Sequence, residues 1–473
     1  MGTISSAFSL ISQGLDADQS ALSIVANNVA NANTPGYTEE TPNWRENQPL
    51  EIDGVSYGNG VTETGATSSR DSVLVERLDQ QQQLASASSA RLTALNNVQA
   101  LFTPDSGSTT STAGDIGSDI TKFFASFASL EAQPADNALR QDVLSTATTL
   151  SGDISNAAAS LNSQRLALDQ EATGVTSQVN SLTGAIAQLN QQIQAASPDA
   201  DAGTLEDQRQ QDLSQLSQLV GINQVRTENN GLEITTTSGQ LLVSNGSSAQ
   251  LTTGTVNGIS DFFLGGADIT SQLAVGGGEL GGYLTARDTD IPGALASLDQ
   301  LAFGISSAVN AQNNAGTDLN GVSGTAAAPL NIFTEPVEVA GSAANMSVVM
   351  TDPNQVAAAG PGDGTGDNSN AIAMANLAKQ GLADGQTPTD YYSNFVTTLG
   401  STVSGVQTEN TAQNASVTQL QTQNDAISSV NLDDEASSLT TLERSYQAAS
   451  QVFAMLNTIM ASALNLGQDS TVS

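Results

Sequence analysis

Residues 439–463 read LTTLERSYQAASQVFAMLNTIMASA, and their spacing decides the fold. Leu439, Tyr446, Phe453 and Met460 fall seven apart, and Leu442, Ala449, Leu456 and Ala463 form a second column three residues behind. Two such columns make an apolar seam along a helix, and the seam needs a partner helix. The opposite end of the chain carries its counterpart. Phe8, Leu15, Leu22 and Val29 keep the same interval, with Ile4, Ile11 and Val25 beside them. The chain is therefore expected to close through its two ends, on itself or on copies of itself.

Working outward from these seams, residues 4–33 read as one amphipathic helix stopped at Thr34-Pro35-Gly36, where Pro then Gly suit the central places of a type II turn. Residues 41–69 read as loop and hairpin. Helical spacing resumes over 71–102 through Leu74, Leu78, Leu92, Leu95 and Phe102, and the Ser/Thr/Gly/Asp-rich 103–118 reads as a flexible loop. A helix with Phe123, Phe127 and Leu130 follows, then one from Asn137 to about Ala159. The strongest central helix carries Leu168, Val175, Leu182, Leu189 and Ala196 in one column and Ala172, Val179, Ile186 and Ile193 in the other, and Pro198 ends it. After a short helix over 205–220, Asn229-Asn230-Gly231 and Ser238-Gly239 punctuate short strand-like runs to about Gly278.

Helix returns from Tyr283 to about Asn310, a β-like patch spans 336–350, and a Gly/Asp loop covers 360–368. Two long helices close the chain. The first holds Val396, Val403 and Val417 beside Leu399, Val406, Leu420 and Ile427. The last starts near Asn431, where Asp433, Asp434 and Glu435 set negative charge on a helix N-terminus. The expected fold is mainly α with β insertions. Its long antiparallel N- and C-terminal helices form a coiled-coil-like bundle, and a small β domain lies outside. Residues 1–40 with 430–473 are expected to form a terminal helical polymerisation domain. Residues 41–230 with 280–429 form a helical middle domain with hairpins, and 231–279 form a small β insertion.

Composition removes most chemistry. Twelve Lys plus Arg stand against 48 Asp plus Glu, a formal net charge of −36, which argues against nucleic acid and anionic membranes as partners. Cysteine and histidine are both absent, so Cys nucleophiles, Ser-His-Asp triads, thiolate sites and His-ligated metals are excluded together. The first basic residue is Arg45, so the N-terminus lacks the positive region of a secretory signal; export without a cleaved signal or a cytoplasmic location is expected. No apolar run is long enough to span a membrane.

Carboxylate chemistry alone survives, and each candidate has a plainer reading. Gly276-Gly277-Gly278 has no Lys-Ser/Thr behind it and reads as a turn before a helix. Asp318-Leu319-Asn320-Gly321 lacks the closing Glu of a calcium loop, and Asp363 and Asp367 sit in one Gly/Asp loop that either holds a weak cation or is only a loop. Asp433, Asp434 and Glu435 read as helix-capping carboxylates before they read as a glycosidase pair. No cofactor is expected and no catalysis. Asn27, Asn28, Asn31 and Asn33 have two readings: a polar face with a C-cap, or a ladder of amides that fixes contacts between subunits.

The terminal seams also have two readings, an ordinary antiparallel pair within one chain or an assembly surface. Burying Leu439, Leu442, Tyr446, Phe453, Leu456 and Met460 returns on the order of 10 kcal/mol gross. Ordering each residue of that helix costs about 1–2 kcal/mol of backbone entropy, partly offset by its hydrogen bonds. Two narrow stripes have little surplus, so the ends are expected to be marginal when paired only with each other and firm among neighbouring copies.

The stretch Ala26-Asn27-Asn28-Val29-Ala30-Asn31-Ala32-Asn33-Thr34-Pro35-Gly36-Tyr37 resembles the N-terminal signature of the bacterial flagellar rod, hook and hook-associated axial family. Tyr57-Gly58-Asn59-Gly60-Val61 with Arg70-Asp71, Phe123-Phe124 with 135–143, and Gly278-Glu279-Leu280-Gly281-Gly282 leading to Ala286-Arg287-Asp288 are similar to its hook–filament junction branch, hook-associated protein 1. So is the end, from Val430-Asn431-Leu432-Asp433-Asp434-Glu435 through Tyr446-Gln447-Ala448-Ala449. Residues 231–279 are a small β insertion where relatives often carry larger outer domains. The resemblance implies a structural subunit of the flagellum, exported unfolded through the flagellar secretion system, whose terminal helices line an inner tube. It implies as partners sister copies in a helical ring, the hook protein, the next hook-associated junction protein, and an export chaperone on the C-terminal helix. The implied subunit interface is Phe8, Leu15, Leu22, Asn27, Asn28, Val29, Asn31, Thr34, Pro35, Gly36 and Tyr37 with Leu439, Leu442, Tyr446, Phe453, Leu456 and Met460. Another axial subunit (hook or filament protein) or a secreted surface adhesin is the alternative.

Overall fold

The computed structural model describes residues 2–34, 36–52, 55–102, 115–195, 203–228, 230–256 and 258–466. The expected turn at Pro35, most of the 103–118 loop and the stop at Pro198 lie outside them. Helix α1 (Gly2–Asn31) leads into a ribbon of β1 (Glu40–Glu46) and β4 (Val61–Ser68), with β2 (Leu50–Ile52) and β3 (Val55–Tyr57) paired at its tip. Next come α2 (Ser72–Ala100), α3 (Ile116–Ala132), α4 (Asn137–Ala195) and α5 (Gly203–Leu219). A four-stranded antiparallel sheet follows, β5 (Ile222–Arg226), β6 (Leu232–Thr236), β7 (Leu241–Ser244) and β8 (Ser247–Ser248), then a three-stranded one, β9 (Leu251–Val256), β10 (Ile259–Leu264) and β11 (Ala267–Asp268).

After α6 (Thr270–Ala274) and α7 (Gly278–Thr285), a π-helical turn over Ala286–Asp290 runs into α8 (Ile291–Ala315). The short α9 (Ser342–Asn345), α10 (Ser369–Leu377), α11 (Pro388–Ser428) and α12 (Leu432–Leu466) complete the chain. Where the sequence suggests strands over 336–350 there is irregular chain around α9, with one isolated bridge, Phe333 to Val348. Of its apolar residues, Ala343, Met346 and Met350 are buried in the adjoining helical core, whereas Val337, Val339 and Val349 are exposed.

Helix α4 organises the body. Its 59 residues run about 90 Å at 1.5 Å per residue, one helix where two were expected. Val143, Leu144, Leu150, Ile154 and Leu161 belong to a core shared with Phe123 and Phe127 of α3 and Leu298, Leu301 and Ile305 of α8. Ala172, Val179, Ile186 and Ile193 belong to a second core, with Leu213 and Leu216 of α5, the strands and α7. Leu168 packs against the first core and Ala172 belongs to the second, so the helix passes from one core to the other here, and no Pro or Gly interrupts it. Arg287 pins that crossing. It is buried, donates to Asp169 at 2.6 Å and to Ser260 O at 2.8 Å, pairs with Asp288 at 2.8 Å, and lies over the Phe262 ring.

The Gly276–Gly278 triplet is explained by packing. Gly278 has φ 72°, and a Cβ there would lie 2.4 Å from the Val220 backbone nitrogen, so α7 can begin against the end of α5 only with glycine. Asp318 accepts from the N–H groups of Asn320 and Val322, each at 2.8 Å, and so closes its own turn. Asp367 accepts from Gly360 N–H at 2.8 Å and from the Ser369 hydroxyl at 2.6 Å, which lowers its pKa and heads α10. Among the described residues no three acidic side chains converge as metal ligands.

Candidate assembly interface

The terminal helices pair antiparallel: Phe8 stacks on Phe453 with ring centroids 4.4 Å apart, while Asn28 bonds Glu435 at the other end. How they join the body follows from the last turn of α1. Asn31 Nδ2 donates to Asn27 O at 3.0 Å and Oδ1 at 2.9 Å, and Thr34 N–H donates to Asn31 O at 2.8 Å, occupying carbonyls that a helix end leaves orphaned. Tyr37 N–H then donates to Thr34 O at 3.2 Å across Gly36 at φ 79°, the positive value that a type II turn demands at its third place.

The reversal brings Tyr37 back over Asn28, which is buried. Asn28 Oδ1 accepts from Tyr37 OH at 2.7 Å and from Glu40 N–H at 3.0 Å. Its Nδ2 donates to Glu40 O at 2.8 Å and Glu435 Oε1 at 2.7 Å. One amide thus ties α1, the first strand and the first turn of α12. The joint is fastened to the body by Glu39 N–H on Ser428 O at 2.9 Å and by Thr38, whose hydroxyl donates to Asp207 Oδ1 at 3.0 Å. Asp207 also pairs with Arg70. Burial first, then the carboxylates of Glu40, Asp207, Glu435 and Glu39, push the Tyr37 hydroxyl well up and keep it a donor. Burial and the neighbouring Glu435 and Asp434 raise Glu39 as well.

Beside the joint lies a cleft of about 390 Å³ between Gly36–Thr38, α2, α5 and the end of α11. In its wall Asp79 is buried and accepts from Gln210 and Gln224, each at 2.9 Å; burial outweighs these bonds and pushes its carboxyl up to about 6.

Beyond the joint, α12 packs on α1 and on no other element to a comparable extent. Leu442, Phe453, Leu456 and Met460 are half-buried against α1, as are Phe8, Leu15 and Leu22 on the facing side, while Val29, Leu439 and Tyr446 are exposed. Asn28 serves inside the chain; Asn27 and Thr34 lie at the surface, with Asn31 half-buried. The heptad reading missed a flanking stripe: Val452, Met455 and Ile459 are 41%, 58% and 53% exposed. Its signal was present in the same stretch. At 100° per residue, the apolar positions of 439–460 cover more than half the helix circumference, too wide for one partner helix. Charge agrees, since neither residues 1–15 nor 445–468 include Asp, Glu, Lys or Arg.

Residues 106–327 match the flagellar hook-associated protein FlgK helical domain family, and residues 12–38 match the flagella basal body rod protein family. The flagellar hook-associated protein 1 of Escherichia coli is 26% identical over 96% of this chain and 98% of its own length. Over nearly its whole length the chain is similar to flagellar hook-associated protein 1. The Salmonella typhimurium hook-associated protein 1 is 28% identical over 66% of this chain and 57% of its own. In fold, the flagellar hook junction protein of Burkholderia pseudomallei matches with a TM-score of 0.64 at 19% identity, over 74% of this chain and 99% of that one.

Proposed function

We propose that this chain is the structural subunit that joins hook to filament in the bacterial flagellum, exported by the flagellar secretion system and assembled through its terminal helices. The supporting observation is the apolar arc of α12, which α1 alone leaves open at Val452, Met455 and Ile459. Removing 431–473 should leave a soluble body that no longer loads onto isolated hook particles. Normal motility in cells carrying only that truncation would overturn the reading.

The finer assignments follow from the same surface. Residues 1–40 and 430–473 act as the assembly unit, 41–230 with 280–429 as the body, and 231–279 as an outward β insertion. The interface comprises the exposed Val29, Leu439 and Tyr446 with Asn27, Asn31, Thr34 and Gly36 of the turn, carried on the seam in which Phe8, Leu15 and Leu22 meet Leu442, Phe453, Leu456 and Met460 within the chain. Sister copies, the hook protein and the next junction protein are its partners. An export chaperone covers α12 beforehand, because a bare apolar helix aggregates. The relatives are structural proteins, and the same role without catalysis is assigned here.

A further inference from the structure

Beyond the helices, the terminal region leaves another surface unfinished. β1 and β4 form a ribbon of two strands, and no third strand joins either edge among the described residues. One part of it lies on α1. Asn47 Nδ2 donates to Gln13 Oε1 at 3.1 Å, Ser20 bonds Glu63, and Gly60 sits so close that a Cβ there would lie 2.4 Å from Gln13 Oε1. Elsewhere it is bare: Trp44, Val55 and Tyr57 are each about half exposed. A lone two-stranded ribbon is marginal in water, and open aromatics at a free edge mark a surface that something covers.

We propose that this ribbon is a second assembly contact, packing through Trp44, Val55 and Tyr57 on the Val452, Met455 and Ile459 stripe of a second copy. The proposal rests on the reading that copies assemble through their terminal helices, and it extends that surface, since α1 contacts both the ribbon and α12. Charge selects the occupant. The ribbon carries Glu40, Glu46, Glu51 and Glu63 against Arg45, in a chain of net charge −36. Most of a neighbour's surface repels it, but the stripe lies in the charge-free stretch 445–468. Joining two different patches gives a heterologous contact, the kind that builds rings and helical arrays.

The chain has no cysteine and a single tryptophan, so the contact can be read directly. Tyr57→Cys and Met455→Cys chains, mixed on isolated hook particles and oxidised, should form a disulfide-linked pair. Tyr57→Cys with Val275→Cys, at an exposed place on the body, should not. Trp44 emission of the unaltered chain should shift to the blue on loading, and Val55→Ser with Tyr57→Ser should lower loading about tenfold at an unchanged melting temperature. Loaded hooks with no link above the Val275 control, or with unchanged Trp44 emission, overturn the proposal and leave the junction reading standing. An unaltered chain that never loads overturns both.

Discussion

Asn28 shows how much of this protein hangs on single side chains. Its amide is saturated by Tyr37, Glu40 and Glu435, all close to one another and mostly acidic. Asn28→Ala leaves buried groups unpaired at about 1–3 kcal/mol. Hydrogen exchange at Glu40 N–H should then quicken about tenfold or more while the two cores of the body melt as before; an unchanged rate would mean that the joint does not depend on this amide. Asp79 makes a pH prediction. Its folded pKa of about 6 exceeds the ordinary 3.8, so the folded chain binds that proton more tightly than the unfolded one. The contribution is full below about 4 and lost as pH rises through 6, on the order of 3 kcal/mol. Asp79→Asn cannot titrate, so in urea melts from pH 4 to 7 the native chain should lose stability relative to the variant as pH rises.

At the scale of elements, α12 carries two faces with separate duties. The face toward α1 decides whether the pair exists, and Phe453→Ala removes a ring contact at 4.4 Å. The flanking stripe touches little within the chain. Changing Val452, Met455 and Ile459 together to Ser should therefore alter the melting of the free chain by less than about 1 kcal/mol, yet reduce hook loading at least tenfold. Loading unaffected by the triple change would assign the stripe no role. Helix α4 teaches a different lesson. Its periodicity is legible on both sides, but the sequence reading ends one helix near Ala159 and starts the next at Leu168, where the structure has one continuous helix. A change of packing partner along a helix leaves the backbone intact, whereas the end of a helix needs a backbone reason such as Pro or a cap.

For the whole molecule, order should follow packing. The body holds two apolar cores joined by α4 and the Arg287 cluster, whereas the terminal pair is held by one joint and one seam, buried at Ala17, Ala21 and Val25 and half-buried elsewhere. In dilute solution, exchange should be fastest in 2–30 and 436–466 and slowest around Phe123, Leu150 and Leu298, with protease cutting the ends first. Equal protection of ends and body would show that the pair is self-sufficient, and loading on hooks should then not slow exchange in the ends.

The residues alone determined the helical ends, their seams and the punctuation of the β region, because period and turn chemistry are local properties of the chain. They also excluded most catalysis, through the missing cysteine and histidine. Only the tertiary structure decided which apolar face meets α1 and which stays bare, that Asn28 is spent inside the chain, and that 336–350 is irregular chain with Met346 and Met350 in a helical core instead of strands. Those outcomes depend on which partners reach each surface, and a one-dimensional pattern records that a side chain seeks burial without recording against what.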